Sequence, residues 1–185
     1  MAVTIDGVGE INGVTLPSGD GAIATTSDLA LVHINTTTFS AVSSVSLNDV
    51  FSSAYDNYSI WLYLTKTSYL TARLRVSGVD ASGSDYDQRL FNLFSTSVNT
   101  TLQTNSSSMQ IGENATVTYT NIQLFNPHKA ARTVLKFDNF DENELRNRHI
   151  VHKLTNAYDG ISLIPTSGTI TGTIRVYGYK NGVSA

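Results

Sequence analysis

The side chains of this sequence that could do chemistry include four histidines, and their spacing argues against a shared metal site. His149 and His152 are three residues apart in a predicted strand, so their side chains would point to opposite faces. One metal ion could not take both as ligands from that strand. His33 lies in a short apolar stretch, which is typical of a buried, hydrogen-bonded histidine, and His128 follows Pro127 in a predicted loop.

Two groups of carboxylates could bind a cation or act as acid and base. The acidic stretch 138–144 offers hard oxygen ligands, but it lacks the glycine turn and the ligand spacing of a calcium loop. Asp80, Asp85 and Asp87 cluster in a second polar segment, where aspartates commonly stabilise turns. We predict solvated loops at both places. A carboxylate pair for glycoside cleavage stays open as an alternative, because sequence gives no distance between the groups.

Nucleophilic and cofactor chemistry finds no support in the sequence. The chain has no cysteine, so it has no disulfide, no thiolate metal site and no cysteine nucleophile. The Gly-x-Ser-x-Gly, His-Glu-x-x-His and phosphate-binding patterns are missing as well. We expect a protein that is not an enzyme and that has no cofactor and no metal.

Aromatic residues offer the best remaining route to ligand binding. Trp61, Tyr63 and Tyr69 lie close together in the sequence, and the first two share one face of a predicted strand. That face is either part of the core or a platform on which sugar rings could stack. Ile60 and Leu62 line the opposite face, and burial of both faces of a strand is common in sandwiches. We therefore predict that Trp61 and Tyr63 are core residues.

Composition argues against two kinds of partner. Hydrophobic residues make up 41% of the chain, which suffices for a packed core, while charged residues make up only 15%. The net charge is −3 and no dense run of Lys or Arg occurs, so we expect no nucleic-acid binding. No apolar run approaches the roughly 18 residues of a membrane helix, so we expect no membrane insertion. The first residues lack a secretory pattern, which favours synthesis in a cytoplasm.

From residue 31 onwards the sequence has the period-two pattern of β-strands. We predict eight or nine strands, at about 31–34, 46–50, 58–64, 71–76, 116–125, 133–137, 149–154, 160–164 and 170–179. Other segments are predicted as a strand or short helix (90–94), a long exposed loop (95–108) and a turn or one helical turn (138–147), with a bulge near Asn121. This pattern predicts an all-β fold, namely an antiparallel, jelly-roll-like β-sandwich over residues 31–185.

Residues 1–30 differ from the rest of the chain, since they are rich in glycine and contain no aromatic residue. Such a segment cannot build its own core. It is either a flexible tail or an extended N-terminal arm that orders on a neighbouring subunit, and we favour the arm. Its predicted assembly contacts are the apolar residues Val3, Ile5, Ile11, Val14 and Leu16.

The last predicted strand has glycines and tyrosines on opposite faces. Gly172 and Gly178 fall on the inward face and leave room for a close neighbour, either a large side chain or another backbone. Tyr177 and Tyr179 point the other way, and aromatic residues with one polar end suit interfaces. We add both tyrosines to the predicted assembly contacts; ordinary exposed tyrosines are the alternative.

Several segments of the chain resemble a known family. They are 55–58 (YDNY), 70–76, 78–81, 159–161 and 168–179 (GTITGTIRVYGY). Together they resemble the β-sandwich domains of virion structural proteins of tailed bacteriophages, a group that includes head decoration proteins and tail-fibre or tailspike proteins. The leader 3–16 is similar to the short Gly-rich leader of such proteins, and the final segment is the most specific part of the resemblance.

This resemblance implies a capsid decoration (cement) protein that attaches to the shell through its N-terminal arm and stabilises it. The alternative that it implies is a tail-fibre or tailspike component that binds a host-surface glycan. The implied partners are other copies of the chain in a homotrimer, and the major capsid protein or other virion proteins. The implied location is the virion, after synthesis in the host cytoplasm.

Overall fold

A computed structural model of the chain describes residues 4–5, 11–12, 31–94, 97–112, 117–140 and 145–181. The chain divides into two units, residues 1–30 and 31–185. In the first unit, β1 (Thr4–Ile5) pairs antiparallel with β2 (Ile11–Asn12). The other residues of that unit lie outside the described part of the chain.

The second unit is built from β-strands. Its described residues form thirteen strands: β3 (Leu31–Val42), β4 (Val45–Leu47), β5 (Tyr55–Lys66), β6 (Leu70–Val76), β7 (Val79–Asp80), β8 (Tyr86–Phe94), β9 (Ser97–Ser106), β10 (Met109–Gly112), β11 (Val117–Phe125), β12 (Thr133–Phe140), β13 (Leu145–His152), β14 (Gly160–Pro165) and β15 (Ile170–Lys180).

These strands form two sheets. The large sheet has eight strands in the order β3-β15-β5-β11-β12-β13-β8-β9. The small sheet has five strands, in the order β10-β6-β14-β4 with β7 paired to β6. Every one of these pairings is antiparallel. The prediction of an all-β, antiparallel β-sandwich is thus confirmed.

Alternation along the strands forms one core from both sheets. In β5, Ile60, Leu62 and Leu64 are buried, while the residues between them are exposed. The small sheet contributes the same pattern, for example Leu70 and Leu74 of β6. Further buried apolar residues of the cluster include Tyr58, Met109, Ile111, Ile122, Leu124, Leu135, Ile150, Ile161, Leu163, Ile174 and Val176.

Eight of the strands pair in a nested order along the chain. The first of the eight pairs with the last, β3 with β15, and the next pairs inward are β4 with β14, β5 with β11, and β6 with β10. Two hairpins, β8–β9 and β12–β13, do not belong to the four nested pairs. They extend the large sheet beyond β11. The jelly-roll arrangement itself stays a prediction at this point.

The sequence underestimated the number of strands. The predicted loop 95–108 is wrong, because β9 occupies Ser97–Ser106 and pairs with β8 along its length. Nearly every residue of β9 is exposed, so no apolar alternation marked it as a strand. The predicted turn at 138–147 is also wrong at both ends, where β12 continues to Phe140 and β13 begins at Leu145. Residues 141–144 lie outside the described part of the chain.

The predicted bulge near Asn121 is wrong as well, since the register of β11 with both neighbours runs without a shift. Register shifts of the large sheet lie elsewhere, for instance between Ile170 and Gly172 in the pairing of β15 with β3. The close neighbours predicted for the two glycines of β15 are confirmed. A Cβ on Gly172 would meet the carbonyl oxygen of Tyr63, and one on Gly178 would meet the ring of Tyr55.

A buried histidine lies at the end of β13 that is next to the start of β8. His152 is fully buried, and its ring stacks edge-on against Tyr86 at 4.4 Å and Tyr158 at 5.0 Å. The hydroxyl of Tyr158 lies 3.0 Å from Nδ1 of His152. Among the described residues, Nε2 has no hydrogen-bond partner. Burial lowers the pKa of His152, and the nearby Asp85 opposes that shift only in part.

This histidine should make the stability of the fold depend on pH. Because its pKa is lower in the folded state than the ordinary value of about 6.5, the unfolded chain binds a proton first as the pH falls. The contribution of His152 to the free energy of unfolding is complete above about pH 6.5. It is lost as the pH falls from there towards the folded pKa, by up to about 1.4 kcal/mol per pH unit. Urea denaturation at several pH values between neutral and mildly acidic should show this loss.

The matched variants are His152→Gln and His149→Gln, on the same strand. The first should flatten the pH dependence, and the second is the control for loss of a histidine at an exposed position of the same strand. Equal pH profiles of stability for wild type and His152→Gln would show that His152 is not the source of the pH dependence.

Candidate assembly surface

The outer face of the large sheet is the face opposite the buried core, and it carries most of the exposed large apolar side chains. All but three of these side chains lie on it, the exceptions being Tyr69, Val79 and Leu154. The outer face displays Trp61, Tyr63, Phe91, Leu93, Val98, Leu102, Tyr119, Phe125, Val134, Leu145 and Tyr179. A face with many exposed apolar side chains is typical of an interaction surface.

The register of the strands arranges five of these side chains in one row across the sheet. Tyr63 of β5 lies opposite Tyr119 of β11, Leu145 of β13 lies opposite Leu93 of β8, and Leu93 lies opposite Val98 of β9. Between Tyr119 and Leu145, the row passes through the backbone position of Phe140 in β12. We call the row Tyr63, Tyr119, Leu145, Leu93 and Val98 the apolar stripe. It crosses six strands and is about 24 Å long.

Aromatic contacts hold the β5 end of this face in place. Tyr63 and Tyr119 pack with ring centroids 5.0 Å apart, and Trp61 packs against Tyr177 at 4.9 Å. The indole Nε1 of Trp61 donates a hydrogen bond to Ser59 Oγ at 2.9 Å. Rings that are exposed but already fixed lose little conformational freedom when a partner covers them.

The prediction that Trp61 and Tyr63 are core residues is wrong. They are 44% and 47% exposed. The aliphatic residues of β5 take the inward face, and the small sheet covers only that side of the large sheet. The prediction rests on burial of both faces of the strand, whereas a two-sheet sandwich leaves one face of each sheet uncovered.

The tyrosines of β15 lie on the same outer face. Tyr177 is half-buried between Trp61 and His33, whose ring centroid is 5.5 Å away. Tyr179 is 37% exposed, and its hydroxyl donates to Gln123 Oε1 at 2.8 Å. Their role as assembly contacts stays a prediction.

The other predicted contacts belong to the first unit. Ile5 and Ile11 are cross-strand partners in the β1–β2 pair. Val3, Val14 and Leu16 lie outside the described residues.

The histidines gave one confirmed and one wrong prediction. His149 is exposed and His152 is buried, which confirms that they face opposite sides of β13. His33 is exposed rather than buried, because it points outward from the edge strand β3 and lies 2.8 Å from Thr36 Oγ1 through Nε2.

Two of the carboxylates that the sequence singled out, Asp80 and Asp87, lie in strands and make structural contacts, so the predicted loop is wrong at these two positions. Asp80 lies in β7, forms an ion pair with Arg75 and accepts a hydrogen bond from Ser162 Oγ at 2.7 Å. Asp87 lies in β8 and accepts from the backbone N–H of Asn105 at 2.9 Å. Within the described ranges, no group of three His, Asp or Glu residues is placed to hold a metal ion. The same ranges contain no helix with the length and hydropathy needed to cross a membrane.

A polar groove lies on the inner side of the large sheet, next to the β10 edge of the small sheet. Its volume is about 460 Å³, and it is lined by Tyr69, Thr71, Leu90, Thr101, Gln103, Gln110, Arg146, Arg148 and Thr166. Arg148 Nη1 donates to Gln88 Oε1 at 3.0 Å, so this guanidinium is tied to β8. Among these residues only Tyr69 is a ligand-binding candidate in the sequence, because the lining comes from segments that are distant along the chain.

No protein-family model matches this sequence, and a search of curated proteins finds no significant match.

Proposed function

We propose that this chain is a non-enzymatic structural protein of a tailed-bacteriophage particle, namely a capsid decoration protein that attaches to the major capsid protein and stabilises the shell. The observation that carries this proposal is the apolar stripe, together with the exposed aromatic residues beside it. A broad apolar face of this kind is suited to adhesion.

The stripe has the chemistry of a protein contact. Burial of apolar surface contributes about 25 cal/mol per Å², and none of the five stripe residues carries a charge that would have to be desolvated. Charged side chains such as Lys136 and Arg89 lie on the same face. In each case at least one outward-facing residue of the same strand separates them from the stripe. Apolar centres with polar surroundings are the usual anatomy of an interface.

The order of the strands supports the jelly-roll arrangement within this proposal. The four nested pairs are those of two interleaved Greek keys, and this architecture provides a stiff block that keeps a surface patch in one shape. The two additional hairpins supply Leu93, Val98 and Leu145. They therefore contribute more than half of the stripe.

Residues 1–30 remain the proposed arm, and the homotrimer remains the proposed oligomer, both as the resemblance implies. An arm adds a second attachment point, so that two weak contacts on one molecule act together. The proposed location is the virion.

Replacing two stripe residues should weaken attachment without unfolding the protein. In Leu93→Ser/Leu145→Ser, both changes fall on side chains that are more than 40% exposed, so the free energy of unfolding should change by less than about 1 kcal/mol. Loss of their apolar contacts should reduce affinity for particles at least about tenfold. Cosedimentation with particles that lack the protein measures this effect.

The matched control is Val79→Ser on β7, where the side chain is 66% exposed and lies in the small sheet. It should bind as the wild type does. Equal binding by the double variant, or absence of the chain from purified particles, would overturn the proposal. Copy number by quantitative mass spectrometry separates the two locations, since many copies per particle indicate the shell and few indicate the tail.

Deleting residues 1–30 should leave a folded domain that no longer attaches firmly. All residues of the described core cluster lie between Phe39 and Val176, within the second unit. The thermal transition of 31–185 should stay close to that of the full chain, while cosedimentation with particles is lost. A truncated protein that still decorates particles would show that the arm is not the fastening element.

Binding of a host-surface glycan is the second candidate, and the polar groove is the observation that favours it. The groove brings a 45% exposed aromatic ring, Tyr69, near the amides of Gln103 and Gln110 and the hydroxyl of Thr101. Rings that stack on sugars and side chains that bond hydroxyl groups are the elements of a saccharide site.

On this reading Tyr69→Ala should abolish hits on a glycan array, and Tyr63→Ala on the outer face should keep them. An array without hits for the wild-type protein would exclude this candidate for the glycans tested.

A further inference from the structure

Within the described part of the chain, the strand β9 is an edge of the large sheet. It spans Ser97–Ser106, pairs with β8 on one side, and is the last strand in the order of that sheet. Its residues are exposed along almost the whole length, and the two apolar ones, Val98 and Leu102, are 55% and 57% exposed. An edge strand presents unpaired backbone N–H and C=O groups to any strand that can pair with it.

Three other edge strands are protected, whereas the stretch Ser97–Gln103 of β9 is not. The register shift that β9 does have lies beyond Gln103, where Asp87 accepts a hydrogen bond from the N–H of Asn105. The edge strand β3 has two register shifts, and β4 is only three residues long. The edge strand β10 is bonded by side chains, since Gln88 Oε1 accepts from the N–H of Gln110 and Asn139 Nδ2 donates to the carbonyl of Ile111. In contrast, β9 has no charged residue and no proline in ten residues.

The register fixes which backbone groups of β9 face the open side. Phe94 pairs with Ser97 across a connection of two residues, and such a closing pair exchanges both hydrogen bonds. Hydrogen-bonded and non-bonded pairs then alternate along the strand. The N–H and C=O groups of Val98, Thr100 and Leu102 therefore point away from β8, towards the free edge.

We propose that β9 pairs antiparallel with β9 of a second copy of this chain, about a two-fold axis at Thr100. The regular part of β9 runs from Ser97 to Gln103, and Thr100 is its midpoint. Pairing about this residue places Val98 opposite Leu102 of the second copy on the outer face. The apolar stripe, which ends at Val98, then continues onto an apolar side chain of the second copy.

The second copy fits this edge because the strand is complementary to itself. A strand without charge meets its own image with no like-charge repulsion, which is what usually keeps edges apart. On the inner face, the same register sets Asn99 opposite Thr101 of the second copy, and amide and hydroxyl groups can bond there. The pairing is independent of the proposed role in a phage particle and of the proposed trimer.

Single cysteines test the register directly, because the chain has none of its own. At a hydrogen-bonded antiparallel pair, the two Cα atoms are about 5.5 Å apart, within the range of about 4.4–6.8 Å that a disulfide spans. Thr100→Cys in the full chain should therefore form a covalent dimer on mild oxidation. The control Val98→Cys should not, because the two copies of residue 98 would be about 13 Å apart along the strands.

In the double variant Val98→Cys/Leu102→Cys, the thiol at position 98 lies opposite the thiol at position 102 of the second copy. This variant should therefore form the covalent dimer again. Crosslinking of Val98→Cys as efficiently as Thr100→Cys would show random collision or another register, and would overturn the proposal. No crosslink for Thr100→Cys, together with a monomer in sedimentation equilibrium over a wide concentration range, would overturn it as well.

Thr100→Pro provides a test without oxidation. Proline removes an N–H that faces the free edge, so the monomer should keep its melting temperature while self-association is lost. Association that survives this change, for example through residues 1–30, would assign the contact to another surface.

Discussion

The antiparallel ladder of the large sheet is the constraint on which the other features of this molecule depend. Each strand sends alternate side chains to opposite faces, and the small sheet covers only one of them. In β5 the inward residues, such as Ile60 and Leu62, are fully or almost fully buried. The outward residues Trp61 and Tyr63 are left on the surface by the same geometry. Core and candidate surface are therefore two consequences of a single register, and a slip by one residue would exchange them.

The two additional hairpins make the large sheet wider than the sheet that covers it. Under β8 and β13 the inward side chains are polar where the small sheet ends, and Gln88 and Arg148 are buried there with a hydrogen bond between them. Gln88 Nε2 also donates to the carbonyl of Ser108 at 2.9 Å, which fastens the segment before β10 to the hairpin. These amide contacts replace the apolar packing that the small sheet provides elsewhere. They allow the sheet to continue past its core, and the groove lies in the resulting overhang.

Sequence patterns were sufficient where a strand has one buried face and insufficient where it has none. The strands at β5, β6 and β15 carry alternating apolar residues, and the sequence predicted all three. No such pattern exists in β9, whose Ser, Thr, Asn and Gln side chains are almost all exposed, so the sequence predicts a loop there. The candidate surface was missed for a related reason. Alternation identifies the two faces of a strand, but only tertiary structure determines which is covered, and Trp61 was consequently assigned to the core.

A broad apolar face and an uncharged edge are hazards for a free protein. Net charge is one of the features that keep proteins apart, and at −3 over 185 residues this chain has little of it. The protective devices that the fold does use, such as the amide contacts of Gln88 and Asn139 at β10, are concentrated at other edges. Protection that is present at one edge and missing at the next is what selection would leave if the unprotected edge were covered in the working assembly. The stripe and the edge of β9 meet at Val98, so one condition, coverage by protein, accounts for both.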